Sequence, residues 1–295
     1  MIKAKHNPVM YEEIIKFLNL KTGQVIIDAT IGLGGHARGI LEKISPTGTL
    51  IGIDKDNESL MLAKHHLESF KNTVLINDDF KNLDIILKNL NIAKVDGIIF
   101  DLGISSYQLE TDERGFSFKS DGPLDMRMDK RCFISAFDLV NNLNESELSN
   151  ILKIYGEEKR HNRIAKYLVY ERQKKSIDTT VELAEIVKKA VGYHGYSRLH
   201  PATRTFQAIR IAVNRELEAL DEVLKKAINL LNPGARICVI SFHSLEDRIV
   251  KVNFKNLMHS GLVNILTKKP LVPGYSEVVN NPRSRSAKLR VAERL

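Results

Sequence analysis

The first hundred residues alternate short apolar runs with stretches of helical character. Four runs are mainly apolar at consecutive rather than alternate positions, and they span residues 24–30, 49–54, 73–76 and 95–101. Continuous apolar strands separated by helices are typical of a parallel sheet that helices cover on both faces. The pattern therefore predicts an α/β fold built on a mostly parallel sheet.

An aspartate stands at or just beyond the end of each of these runs. The four residues are Asp28, Asp54, Asp79 and Asp101. In an open parallel sheet, ligands bind in the crevice at the carboxyl ends of the strands. We therefore expect the four carboxylates to line a single ligand crevice.

The pattern changes after about residue 108. Residues 110–131 are polar and loop-like, and helical patterns follow. One helix opens with a capping-box sequence at residues 144–147, and another opens at residues 179–182. A loop is predicted over residues 193–201. A long helix is predicted over residues 203–231, because its apolar positions recur at steps of three, four or seven, and Asn232-Pro233-Gly234 would end it.

A fifth strand is predicted over residues 236–242, so the sheet resumes after the helical region. This organisation predicts two domains. Residues 1–108 and 216–295 would form a discontinuous sheet domain, and residues 109–215 would form a mainly helical insertion.

Composition is that of an ordinary globular protein, with 43% hydrophobic and 27% charged residues. No apolar stretch reaches the roughly 18 residues of a membrane span, and residues 1–8 lack an apolar signal core, so we expect a cytoplasmic protein with no membrane partner. Cys132 and Cys238 lack metal-ligand spacing, and Cys238 is expected to be a buried small hydrophobe.

The positive charge is concentrated in two segments. The formal net charge is +8, of which residues 156–215 contribute +7 and residues 281–295 contribute +4. General solubility would account for a diffuse excess, whereas a segregated one favours a binding face for an acidic partner, nucleic acid first.

A glycine-rich turn follows the first predicted strand. Its spacing is Gly32-x-Gly34-Gly35, which fails the G-x-G-x-x-G dinucleotide fingerprint. An acid at the end of the first strand before such a turn is similar to S-adenosylmethionine-dependent methyltransferases. Asp54, at the end of the second strand, is suited to the ribose hydroxyls of the cofactor. A tight strand-to-helix connection with no ligand is the structural alternative.

The segment after the fourth strand contains Asp101 and Tyr107. An exocyclic amine on a base ring is a poor nucleophile, and a carboxylate that accepts its N–H bond would favour attack on a sulfonium methyl group. Asp101 would otherwise contact the amino-acid end of the cofactor. Tyr107 would stack on a base or pack in the core.

Six motifs in order resemble the bacterial 16S ribosomal RNA cytosine-N4 methyltransferases, the MraW or RsmH family, along essentially the whole chain. They lie at residues 32–36, 101–106, 124–128, 200–207, 241–248 and 281–290. The resemblance implies a Rossmann-like class I methyltransferase fold with an inserted, RNA-recognising helical domain. It also implies methylation of a decoding-centre cytidine of 16S rRNA in the assembled small subunit, with S-adenosyl-L-methionine as the donor and no metal.

The resemblance assigns the cofactor contacts residue by residue. The methionine end would lie against Gly34, Gly35 and His36, where the backbone is expected to matter more than the imidazole as a general base. Asp54 would bind the ribose. The remaining pocket residues would be Asp79 and Phe80 at the adenine, with Asp101 and Gln108 completing the site.

A second group of candidates would contact the RNA. His200, Arg204 and Arg210 would meet phosphates, and Gln207 would read a base edge. A solvated or structural polar face is the alternative for this group. Arg283, Arg285 and Arg290 in the tail are further candidates, as phosphate contacts or as pairs to the acids of the sheet domain. The basic stretch at residues 159–175 is either RNA-facing or simply solvated.

The catalytic candidates are Asp101, Tyr107 and His243, the last of which could instead be a hydrogen-bonded structural histidine. Two other functions remain open at this point. A nicotinamide oxidoreductase is disfavoured by the glycine spacing, and a non-catalytic RNA-binding assembly factor is disfavoured by the acids at the strand ends.

Overall fold

The computed structural model describes residues 8–192 and 200–295. The chain divides into two compact units. Unit 1 comprises Met1–Ser105 and Leu217–Leu295, and unit 2 comprises Ser106–Glu216. The N-terminal residues 1–7 and most of the loop predicted at residues 193–201 lie outside the described residues.

Unit 1 contains a seven-stranded sheet with the strand order β3-β2-β1-β4-β5-β7-β6. The first five strands in this order pair in parallel, whereas β7 is antiparallel to both β5 and β6. The α/β fold with a mostly parallel sheet is therefore confirmed. The strands are β1 (Val25–Asp28), β2 (Thr49–Ile53), β3 (Thr73–Ile76), β4 (Val95–Asp101), β5 (Leu231–Ser241), β6 (Val263–Ile265) and β7 (Lys288–Arg294).

Helices connect these strands and form most of unit 2, in which residues 115–135 are not helical. Those of unit 1 come first and last along the chain, and those of unit 2 lie between them. The α-helices of the described residues are α1 (Tyr11–Leu18), α2 (Gly35–Ile44), α3 (Asn57–His66), α4 (Leu83–Asn89), α5 (Ser106–Glu110), α6 (Ala136–Asn142), α7 (Glu145–Gly156), α8 (His161–Arg172), α9 (Thr180–Val191), α10 (Thr203–Asn214), α11 (Glu216–Ala227), α12 (Ser244–His259) and α13 (Tyr275–Asn280).

Both faces of the sheet are buried. Successive strand residues point to opposite sides, so neighbouring residues of one strand belong to different hydrophobic cores. Ile27 and Ile98 belong to a core that includes residues of α4, α11 and α12. Their neighbours Ile26 and Ile99 belong to a second core with residues of α1, α2 and α3. Cys238 is buried in the second core as expected, and burial raises the pKa of its thiol to about 12.

The predicted helix over residues 203–231 is wrong in its extent. The chain forms two helices there, α10 and α11, separated by Arg215 with a φ of 50°. Leu231 belongs to β5, where it pairs with Val95, so the segment Asn232-Pro233-Gly234 lies inside a strand. Both helices bury an apolar face, so the periodicity continues across a single left-handed residue and conceals the break.

Local capping signals were better guides in unit 2. Asn144 and Glu147 form the predicted reciprocal capping box at the start of α7. Thr179 and Glu182 form a second one at the start of α9, where a helix was predicted to open. Within the unit, α7 packs against both α8 and α10, and α8 packs against α9. Among the described residues, no helix combines the length and the apolar character needed to cross a membrane.

Candidate functional site

The turn between β1 and α2 is built on glycines in left-handed conformations. Gly32 has a φ of 51° and Gly34 a φ of 83°, values that side chains disfavour. A Cβ atom at Gly34 would also come within 3.1 Å of the Leu67 side chain. Among the described residues no side chain caps α2, which begins at Gly35, so the helix presents backbone N–H groups suited to an anionic or polar ligand.

Asp54 ties this turn to the end of β2. Its Oδ2 accepts the N–H of Gly32 at 2.9 Å, and its Oδ1 accepts the N–H of Asp56 at 2.9 Å. Asn77, just beyond β3, donates its side-chain amide to the Asp54 carbonyl at 2.9 Å. Each Asp54 oxygen keeps a second lone pair for a further donor, such as a ribose hydroxyl.

Three carboxylates, those of Asp28, Asp54 and Asp101, form what we call the acidic rim at the ends of β1, β2 and β4. Burial raises the pKa of Asp28 to about 7 and that of Asp54 to about 6. Burial, with the nearby Asp28 and Glu246 carboxylates, raises the pKa of Asp101 well above its usual value. Among the described residues, none of the three forms an ion pair with lysine or arginine, so the rim favours a cationic or hydrogen-bond-donating ligand.

His36, on the first turn of α2, faces Asp101. Its Nε2 lies 2.9 Å from the Val9 carbonyl oxygen, which can only accept, so Nε2 carries the proton. The Nδ1 atom lies 3.7 Å from Oδ2 of Asp101. The other oxygen, Oδ1, is buried without a hydrogen-bond partner among the described residues, although the side chain as a whole is 24% exposed. An unpartnered buried acceptor at the end of β4 fits a ligand that carries a donor.

Asp79 and Phe80 lie beside the rim, beyond β3. Asp79 caps the short 3-10 helix that Phe80 begins, accepting the N–H of Lys81 at 3.0 Å, and its other oxygen is 3.8 Å from Nζ of Lys55. The Phe80 ring packs edge-on against Phe100 with centroids 5.6 Å apart. The contact with Phe100 holds the half-buried Phe80 ring in place, and its assignment to the adenine stays a prediction.

Tyr107 and Gln108 lie on α5, which belongs to unit 2. Gln108 is buried and Tyr107 is half-buried. Their assignments to the base and to the cofactor stay predictions.

His243 adopts the structural alternative that the sequence left open. It is the N-cap residue of α12, where its Nδ1 accepts the N–H of Glu246 at 3.4 Å. Glu246 reciprocates by accepting the N–H groups of Phe242 and His243, at 2.8 and 3.3 Å. Because Nδ1 is occupied as an acceptor, taking up a proton there would disrupt the cap. A catalytic role of His243 stays a prediction.

The polar face of α10 is largely bonded within unit 2. Arg210 forms a bidentate ion pair with Glu216, with Nε–Oε1 and Nη2–Oε2 distances of 2.9 and 3.0 Å. Both side chains are nearly buried. Gln207 donates to the carbonyl of Tyr155 at 3.0 Å. In this conformation the donors of both side chains hold unit 2 together, and their contacts with RNA stay predictions.

His200 and Arg204 differ in whether their side chains can donate to an RNA phosphate. The imidazole of His200 stacks on Phe118, with centroids 4.4 Å apart, and burial lowers its pKa, which favours the neutral form. Arg204 is exposed and donates to the Glu157 carbonyl at 3.2 Å. Arg204 therefore keeps donors for a phosphate, whereas His200 is disfavoured as a cation.

The basic tail contains both exposed and buried arginines. Arg283 and Arg285 are exposed on a short 3-10 helix. Arg290, in β7, instead pairs with Asp247 at 2.7 Å and is buried. The alternative of pairing with acids thus holds for Arg290.

Sequence reasoning missed Thr30, Glu246 and the Val9 carbonyl. Thr30 accepts the backbone N–H of Asp101 at 2.6 Å and so links β1 to β4 at the rim. Glu246 had a usable signal, because it stands three residues after His243, the spacing of a capping box. A backbone carbonyl leaves no trace in the pattern of side chains. Among the described residues, no cluster of potential metal ligands is present.

The parallel sheet, the glycine turn and the acidic rim define an α/β protein equipped for a nucleoside-type ligand. The family model described as the MraW methylase family matches residues 3–295, so the chain belongs to that family, and the resemblance stated from the motifs is confirmed. The ribosomal RNA small subunit methyltransferase H of Halothermothrix orenii is 46% identical over 307 residues, covering 99% of both chains. That of Clostridium botulinum strain 657 is 47% identical over 309 residues and covers all of both chains.

A crystal structure of an rRNA methylase from Streptococcus thermophilus is also similar, at 13% identity with a TM-score of 0.46, covering 100% of this chain and 99% of the other.

Proposed function

We propose that this protein transfers a methyl group from S-adenosyl-L-methionine to the exocyclic N4 of a decoding-centre cytidine of 16S rRNA. The observation that carries the proposal is the match along nearly the whole chain to relatives named ribosomal RNA small subunit methyltransferase H. The substrate is the small ribosomal subunit in its assembled form, and the site of action is the cytoplasm. The acidic rim supports S-adenosylmethionine as the cofactor, because buried carboxylates suit a methyl donor that carries positive charge.

The rim residues fit S-adenosylmethionine by their chemistry. Asp54 accepts the ribose hydroxyls, and the N–H groups of Gly35 and His36 bind the carboxylate of the methionine end. Gly34 contributes the left-handed turn, since its own N–H donates to the Ile31 carbonyl at 2.8 Å. Oδ1 of Asp101, buried and unpartnered among the described residues, accepts the amino group of that end. The adenine lies at Phe80 beside Asp79. When bound, the cofactor supplies an activated methyl group on a sulfonium, for which a metal is not required.

The catalytic contribution of the chain is positioning and electrostatics. The amine of cytosine gains nucleophilicity when an acceptor engages its N–H, and in-line approach to the donor removes much of the entropic barrier. The target base must leave its stack to reach the rim. We assign phosphate contacts to Arg204, Arg283 and Arg285, whose exposure in the structure supports this role.

The experiment is methyl transfer to small subunits purified from cells that lack the gene. With radiolabelled S-adenosylmethionine we expect label in 16S rRNA, and nucleoside mass spectrometry should identify it as N4-methylcytidine. Label on another atom, or none in 16S rRNA, would contradict the proposal. A thermal-shift comparison of S-adenosylmethionine with NAD also tests the oxidoreductase alternative, since only the former should stabilise the protein.

Cofactor binding is tested by Asp54→Ala, with the exposed acid variant Asp84→Ala as the matched control. Loss of charge-assisted hydrogen bonds worth about 1.5–3 kcal/mol should weaken S-adenosylmethionine binding about tenfold or more in calorimetry. Affinity for the small subunit should change little. An unchanged cofactor affinity in Asp54→Ala would refute the ribose assignment.

A further inference from the structure

The outward face of α8 carries two cations and an aromatic ring in a row. Arg163, Lys166 and Tyr170 are exposed, and we call these three residues the α8 stripe. Their spacing of three and four residues places them on one side of the helix, separated by about 4.5 and 6 Å along its axis. The opposite side of α8 is buried through Ile164, Ala165 and Leu168, so packing within unit 2 does not account for the stripe.

The cations of the stripe differ from three other lysines of unit 2, which have acidic partners. Lys174, Lys175 and Lys188 pair with glutamates at 3.0, 2.6 and 2.6 Å. Among the described residues, Arg163 and Lys166 form no ion pair. The positive charge of the stripe is therefore not compensated by any ion pair within the part of the chain that the structure describes.

Two tyrosines interleave with these cations. The guanidinium of Arg163 lies 5.7 Å from the ring centroid of Tyr167, and the ammonium of Lys174 lies 4.0 Å from that of Tyr170. Tyr170 is 58% exposed. A helix face that needed only hydration would gain nothing from a large exposed ring, whereas an aromatic ring next to cations suits a partner with both phosphates and flat bases.

We propose that the α8 stripe is a binding site for a strand of the substrate RNA. Arg163 and Lys166 contact successive phosphates, and Tyr170 stacks on an unstacked base of the same strand. The site deepens the proposed function and rests on it for the identity of the RNA. The sequence left residues 159–175 as either RNA-facing or solvated, and the stripe selects three residues of that stretch and gives each a role. The stripe extends the RNA interface along α8.

The first test removes the two charges with Arg163→Gln/Lys166→Gln. Its matched control is Lys175→Gln/Lys188→Gln, which removes two paired cations from the same unit. Binding to assembled small subunits is measured from 50 to 200 mM salt. Releasing two fewer counterions should reduce the slope of log affinity against log salt by about 1.5 and weaken binding at physiological salt about tenfold. A stripe variant whose slope equals that of the control would overturn the proposal.

The second test separates stacking from charge. Tyr170→Leu removes the aromatic face and should weaken binding about tenfold, because stacking on one base is worth about 1–3 kcal/mol. Tyr170→Phe keeps the face and should bind within twofold of the wild type. Equal loss in both variants would reject stacking.

A third measurement identifies the occupant. With benzoylphenylalanine in place of Tyr170, irradiation on small subunits should crosslink the protein to 16S rRNA. Crosslinks to a ribosomal protein alone would overturn the proposal. Failure of the proposed function is separately visible, because the wild type would then transfer no methyl group to 16S rRNA. Calorimetry with S-adenosylmethionine should give the same cofactor affinity for the stripe variants as for the wild type.

Discussion

The acidic rim and the α8 stripe are both sets of like charges: among the described residues, the rim carboxylates form no ion pair with lysine or arginine, and the stripe cations form none with a carboxylate. Their surroundings differ. The rim carboxylates are largely buried at the ends of strands, and burial raises the pKa values of Asp28 and Asp54. The stripe cations are exposed on a helix, where water solvates them at little cost. An unpaired charge in the interior therefore lowers the stability of the fold. An unpaired charge at the surface changes the stability very little until a partner binds.

Arg210 shows what happens when a nearly buried charge does have a partner. Its pair with Glu216 satisfies both groups inside unit 2 and makes the side chain part of the architecture. The three cases teach that burial and pairing, rather than residue type, separate charges that hold the fold from charges available to a ligand. Each prediction below alters one side of this comparison.

The largest effect is expected for Asp28→Asn, and it depends on pH. The folded-state pKa of about 7 exceeds the ordinary value of 3.8, so the folded protein holds this proton more tightly than the unfolded chain does. Stability is therefore lost as pH rises through this window. Between pH 4 and pH 8 the variant should gain about 4 kcal/mol relative to the wild type. Urea denaturation across that range measures it.

The control for this effect is Asp84→Asn. Asp84 is largely exposed, and its hydrogen bond with Lys226 lowers its pKa. Its removal should change stability by under about 1 kcal/mol and with the opposite pH trend. A flat difference between Asp28→Asn and the wild type would show that the rim is solvated, and the contrast with the stripe would disappear.

The second effect concerns the paired cation. Arg210→Met should lower the free energy of unfolding by about 3 kcal/mol, because it leaves the Glu216 carboxylate nearly buried without its partner. Lys166→Met, the same change at an exposed and unpaired site, should stay within about 0.5 kcal/mol of the wild type. Chemical denaturation compares the two, and similar losses would contradict the distinction between structural and available cations.

The smallest effect tests His243 as a helix cap. His243→Ala should cost about 1 kcal/mol through loss of the N-cap, and His243→Asn should restore most of it, since asparagine caps well. Denaturation gives the stability, and methyl transfer to small subunits gives the activity. A His243→Asn protein that is as stable as the wild type but transfers no methyl group would identify His243 as catalytic instead.

The sequence by itself determined the features that depend on neighbours along the chain. Consecutive apolar residues specify strands buried on both faces, and an aspartate at or just after a strand such as β1 or β4 must come to the carboxyl edge of a parallel sheet. The turn at Gly34 and the capping box of Asn144 are local for the same reason. The glycine turn and the row of acids at the strand ends could both be predicted from the sequence alone.

Only the tertiary structure decided which polar residues pair with one another. The break at Arg215, the pair of Arg210 with Glu216 and the bond from His36 to the Val9 carbonyl all depend on how the segments fold back on themselves. Periodicity reports which face of a helix is apolar, but it is silent about what the polar face meets. Desolvation and partner distance set the energy of a charge, and both are properties of the folded chain.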